Sequence, residues 1–83
     1  MYPEKVTLLK KKDLKEVNEL IRAKFGCRMT SGSIIHRKDG SKCFNIVTEN
    51  YHTTFANNIQ GIGEIIKETF RATEVRYFGV TIA

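Results

Sequence analysis

From Leu14 the apolar positions fall at Leu14, Val17, Leu20, Ile21 and Phe25, separated by three, three, one and four residues. That spacing lines one face of a helix and leaves Lys15, Glu19 and Arg22 on the other. Asp13 is placed to cap its start, with Glu16 three residues on as the second half of a capping box. Gly26, which tolerates the left-handed conformation, ends it. A second stripe, Phe55, Ile59, Ile62, Ile66 and Phe70, recurs at four, three, four and four and predicts a helix over 54–70. Asn57, Asn58, Gly61 and Gly63 weaken its first half, each glycine by up to ~1 kcal/mol against alanine. Tertiary packing must therefore hold that half, or the helix begins near Gln60. Ala56 and Gly63, on one edge of the stripe, form a notch for close approach by a neighbouring element.

The remaining apolar runs read as strands. Residues 5–10 predict a first short strand. Residues 27–37 and 42–48 flank Asp39-Gly40, the strongest short-range hairpin signal, since both central residues of a type I′ turn need φ > 0. Centring the turn there pairs Lys38 with Ser41, His36 with Cys43 and Ile35 with Phe44. The first arm, with Arg28, Thr30, Ser31, Gly32 and Ser33, suits an edge strand; the second is more apolar and suits a central one. Residues 74–82 close the chain as a single strand. Phe78, Val80 and Ile82 alternate onto one face, with Tyr77, Gly79 and Thr81 on the other.

The order β-α-β-β-α-β predicts one domain over residues 1–83 of the α+β class. Its simplest arrangement is a ferredoxin-like sandwich, a four-stranded antiparallel sheet with two helices on one face. The alternative attaches the first and last strands as peripheral additions to an α-β-β-α core, as in double-stranded-RNA-binding-like folds.

Charge changes the picture more than composition does. The chain carries +5 at neutral pH, and the whole excess lies in residues 1–42, where eleven Lys and Arg face five Asp and Glu. Lys10, Lys11 and Lys12 follow the first strand, and Arg37, Lys38 and Lys42 crown the hairpin. Both groups suit phosphates, which reward cations through counterion release. These six residues are the expected contacts to RNA or DNA, in a non-catalytic binding module. The second expectation is a regulator or inhibitor that meets an acidic protein surface, or a second copy in a homodimer. It would use the open sheet face or an edge strand, with Asn45, Tyr77 and Thr81 as the partner-binding residues.

Catalytic and metal chemistry find little purchase. Cys27, His36, Cys43 and His52 lack zinc-ligand spacings. The expected register puts two Cys–His pairs on the order of 30 Å apart at ~3.3 Å per residue, too far to share an ion. The same separation excludes a Cys27–Cys43 disulfide. No metal or cofactor is expected. The His36–Cys43 pair lacks a third, orienting residue for nucleophilic catalysis, and a strand cysteine is most often a buried small hydrophobe. No run approaches the ~20 apolar residues of a membrane helix, and two unpaired cysteines without a signal peptide suit the cytoplasm.

Two families share part of this pattern. Lys42, Phe44 and Val47 agree with the third-strand signature of RNA recognition motifs. Cys43, Asn45, Ile46 and Glu49 depart from it, and the first strand offers Val6 and Leu8 where that family stacks an aromatic. Over residues 14–70 the chain resembles HicA-type mRNA interferases. Gly32-Ser33 follows an amphipathic helix, and Gly61-Ile62-Gly63-Glu64-Ile65-Ile66-Lys67 opens a last one. The family's catalytic histidine directly follows the Gly-Ser; Ile34 stands there in this chain, and His36 comes two positions late. The resemblance implies a ribonuclease lacking its histidine position, which ranks third behind the two binding readings.

Overall fold

A computed structural model describes residues 5–49 and 53–83. The elements are β1 (Lys5–Leu8), α1 (Lys11–Phe25), β2 (Ser31–His36), β3 (Lys42–Val47), α2 (Thr53–Asn57), α3 (Ile59–Phe70), β4 (Glu74–Tyr77) and β5 (Val80–Thr81). The α+β class is as expected. The sheet departs from the ferredoxin-like arrangement: it has five strands in the order β1-β2-β3-β4-β5. Antiparallel pairs join β1 to β2, β2 to β3 and β4 to β5, whereas β3 and β4 run parallel. A parallel pair needs a long crossover, which α2 and α3 supply. β1 is therefore an edge strand, and β2, expected at an edge from its polarity, is an interior one. β1 and β4 flank the β2–β3 hairpin, and β5 lies outside β4.

Helix α1 begins two residues before Asp13. The cap position is Lys10, which makes no side-chain capping bond, and Asp13 lies in the first turn. There its carboxylate still favours the positive end of the helix dipole. Gly26 ends the helix as expected, at φ 72°, with its N–H on the Arg22 carbonyl at 3.0 Å. Val17 and Ile21 are fully buried, while Leu20 turns outward.

The second helical stretch divides at Asn58. Its side-chain amide donates to the Thr54 carbonyl at 2.9 Å, and its backbone N–H to the Phe55 carbonyl at 3.2 Å. Asparagine competes for backbone groups in this way, so the first turns close off as α2 and α3 starts afresh. The glycines that weaken helix propensity are positions of close approach. A Cβ on Gly61 would lie 2.5 Å from Cζ of Phe25, and one on Gly63 would lie 3.1 Å from Cβ of Ala83. Gly63 thus serves as the expected notch.

Ile34, Phe44, Ile46, Val75 and Tyr77 face the helices and meet Val17, Ile21, Phe55, Ile62 and Ile66. Burying each large side chain contributes about 1.5–3 kcal/mol. Phe44 packs over Gly32, where a Cβ would lie 2.6 Å from its Cζ, and stacks on Phe70 at 5.0 Å. Among the described residues, the other sheet face carries no helix.

Candidate functional site

Asp39-Gly40 reverses the chain, but not as a two-residue turn. The Arg37 N–H donates to the Ser41 carbonyl at 2.9 Å and the Gly40 N–H to the Arg37 carbonyl at 3.0 Å. Of the two turn residues only Gly40 has positive φ, at 91°. This is a three-residue loop, a turn followed by a glycine bulge. Asp39 stabilises it by accepting from the Ser41 hydroxyl at 2.7 Å and the Ser41 N–H at 2.9 Å. Those two bonds, the hydroxyl's first, hold its carboxyl below the usual range.

The extra loop residue slips the register by one. His36 faces Lys42, Ile35 faces Cys43 and Ile34 faces Phe44. Lys5 of β1 also faces His36. Lys5, His36 and Lys42 therefore form a cross-strand row at the hairpin end of the sheet, with Lys38 at the loop tip beyond it. β4 approaches the same end. The Thr73 N–H donates to the Lys42 carbonyl at 2.8 Å, and Arg71, exposed and left-handed at φ 55°, stands two residues earlier.

Arg37 belongs to a different cluster. Its guanidinium lies 2.7 Å from Glu74, whose other oxygen takes Nε of Arg76 at 2.8 Å and the Thr81 hydroxyl at 2.7 Å. Hydrogen bonds from Thr81, Arg76 and Arg37, in that order, pull the Glu74 carboxyl down to about 2. Glu74 in return raises Arg76. Register places this cluster on the open face, where Glu74 neighbours Cys43 and Arg76 neighbours Asn45.

The Lys10–Lys12 group lies elsewhere. Leu8 faces Ser33, and the Leu9 N–H donates to the Gly32 carbonyl at 2.8 Å, so the chain enters α1 at the end of the sheet away from the loop. Five residues separate Lys5 from Lys10, about 16 Å at ~3.3 Å per residue. The six expected phosphate contacts thus do not come together: Lys38 and Lys42 lie at the hairpin end, Lys10, Lys11 and Lys12 at the opposite end of the sheet, and Arg37 is held by Glu74 on the open face. Lys5 and Arg71, absent from that expectation, extend the hairpin group. Only strand pairing brings them there, and the sequence carries no local signal for it.

Among the expected partner-binding residues, Asn45 and Thr81 are on the open face and Tyr77 is not. Tyr77 is only 5% exposed, packs against Phe55 at 5.0 Å and shares a hydrogen bond with Thr48 at 2.9 Å. The expected single strand is instead a hairpin, with Tyr77 paired to Val80 and Arg76 to Thr81 across Phe78-Gly79. That turn breaks the alternation and returns Tyr77 to the core side. β1 adds Val6 and Leu8 to the open face, opposite Ile35 and Ser33; they are 58% and 74% exposed.

Cys27 and Cys43 are buried free thiols, and burial pushes Cys27 up. Cys43 faces Ile35, so the expected His36–Cys43 pairing is absent. The expected Cys27–His52 pairing falls on His52, outside the described residues. Among the described residues no group of three or more His, Cys, Asp or Glu is placed to hold a metal ion, and no helix is long and apolar enough to cross a membrane. Comparisons with family models, curated proteins and solved structures returned no match.

Proposed function

We propose that this chain is a non-catalytic binding module that grips RNA or DNA phosphates with the hairpin end of its sheet. The cross-strand row Lys5–His36–Lys42 carries the reading. Strands lie ~4.8 Å apart, so Lys5 and Lys42 span about 10 Å and reach neighbouring phosphates. Lys38 lies at the loop tip beyond the row, and Arg71 comes two residues before Thr73, which bonds Lys42. Among the described residues, Asp39 holds the loop, and Glu74 holds Arg37 and Arg76 on the open face. Two buried free thiols accord with a reducing compartment such as the cytoplasm. Fluorescence anisotropy with a labelled oligonucleotide, titrated between about 50 and 200 mM salt, tests the reading. Four phosphate contacts give a log–log slope of about −3 to −4; a flat response rejects it.

A second reading is favoured by the exposure of Val6 and Leu8 on the helix-free face. There the chain acts as a regulator or inhibitor that docks on a protein, a second copy included, with Asn45 and Thr81 in the contact. Binding of that kind responds weakly to salt and is lost in Leu8→Asp. Sedimentation equilibrium reads the homodimer case directly.

A further inference from the structure

β1 pairs with β2 alone, and among the described residues no strand lies beyond it. The Leu9 N–H donates to the Gly32 carbonyl, so Leu9 and Gly32 form a hydrogen-bonded pair at the end of the β1–β2 ladder. Backbone groups alternate in direction along an antiparallel strand. Thr7 and Lys5 therefore turn theirs toward β2, while Val6 and Leu8 each turn N–H and C=O outward. The same two residues carry exposed apolar side chains on the open face, at 58% and 74%. Chains ordinarily blunt such an edge with charge, proline or a bulge. The one charge of β1, Lys5, stands at its end.

We propose that this edge pairs with a second copy of itself, antiparallel about a two-fold axis at Thr7. Val6 then lies opposite Leu8 of the second copy, and Leu8 opposite its Val6. Every outward backbone group of Val6 and Leu8 finds a partner, and the apolar side chains meet across the seam on one face. Neighbouring registers do worse. An axis at Val6 brings the two Lys5 residues to ~7 Å along the seam, against ~13 Å for an axis at Thr7. An axis at Leu8 sets Val6 against Lys10. The match is written into the order Lys5-Val6-Thr7-Leu8 itself, which makes a second copy the occupant.

Four residues a side make a small interface, in the transient class below ~1,200 Å². Lys5 also falls opposite Leu9 of the second copy, beside its Lys10, so added salt favours the pairing modestly, opposite in sign to phosphate binding. The proposal rests on the homodimer case of the second reading and deepens it by naming the edge and the register. The phosphate reading stands apart from it.

The test uses the axis residue. The two Thr7 residues face each other as a non-hydrogen-bonded pair, with Cα atoms ~4.5 Å apart, within disulfide reach. Thr7→Cys is expected to give a covalent dimer on mild oxidation, read on a non-reducing gel. Lys5→Cys, at a more exposed position but ~13 Å from its mate along the seam, stays monomeric. Wild type, whose two cysteines are buried, does the same. Sedimentation equilibrium of wild type up to about 1 mM, the range of a weak association, is expected to show a reversible dimer that Leu8→Asp abolishes. A dimer lost in Leu8→Asp but giving no Thr7→Cys link stacks the open faces instead, because Thr7 is on the helix side with Ile34. That result overturns the edge pairing and leaves the second reading standing. Equal linking of Lys5→Cys and Thr7→Cys marks random collision and overturns the register. A wild type monomeric throughout, with no Thr7→Cys link, overturns the pairing and the homodimer case together.

Discussion

Asn18 holds Met29 by both of its backbone groups: the amide nitrogen donates to the Met29 carbonyl and the amide oxygen accepts the Met29 N–H, each at 2.9 Å. Met29 is itself almost fully buried, so this pair docks the loop between α1 and β2 onto the helix. Asn18→Ala leaves a donor and an acceptor without partners, at about 1–3 kcal/mol for each unsatisfied group. Urea unfolding is expected to show a loss of ~2 kcal/mol or more. Asn18→Asp recovers only part of it, because a carboxylate accepts the N–H but cannot donate to the carbonyl.

Two glycines that meet aromatic rings at nearly equal distance are expected to respond differently to alanine. At Gly32 the new methyl meets Phe44, which is fully buried and stacked on Phe70, so the ring has nowhere to go. Overpacking of that kind costs about 1–3 kcal/mol. At Gly61 the methyl meets the end of Phe25, which is only half-buried and free to swing outward. The helix there also gains up to ~1 kcal/mol of propensity. Thermal melts should place Gly32→Ala well below wild type and Gly61→Ala close to it.

Local signals were legible in the chain and long-range pairings were not. The apolar spacing from Leu14 to Phe25 and the stop at Gly26 are set within a few turns of one helix, and both hold. Asp39-Gly40 announced a reversal, but the choice of a three-residue loop depends on Asp39 reaching Ser41. That choice shifted every cross-strand partner by one. The parallel pairing of β3 with β4 joins residues about thirty apart, and no local pattern records it. The turn at Phe78-Gly79 was hidden because phenylalanine is not a turn residue. For the site, the loop cations were visible as a charge run, whereas the placement of Lys5 and Arg71 beside them follows from the sheet alone.

Acid stability should depend on Glu74. Its carboxyl titrates at about 2 in the folded chain against an ordinary 4.5. The stabilisation is full above 4.5. As pH falls below that value the unfolded chain takes up the proton first, so stability is lost progressively until about 2. Glu74→Gln should flatten that limb in urea midpoints measured across the window. The slope that remains belongs partly to Asp39, which is shifted in the same direction. A limb as steep in Glu74→Gln as in wild type would remove Glu74 from the account.

The two basic groups at opposite ends of the sheet can be weighed separately. Lys5 and Lys42 share a row with His36, whereas Lys11 and Lys12 open α1 at the far end. If the hairpin end holds the phosphates, the double variant Lys5→Ala with Lys42→Ala removes two contacts and reduces the salt slope by about two. The double variant Lys11→Ala with Lys12→Ala removes the same charge from the chain but none from the row. It should lower affinity only through the long-range field, which is screened beyond ~8 Å at physiological salt, and leave the slope near its wild-type value. Equal loss of slope in the two variants would mean that the nucleic acid spans the whole sheet. A loss confined to Lys11 and Lys12 would move the binding surface to the start of α1 and overturn the assignment to the hairpin end.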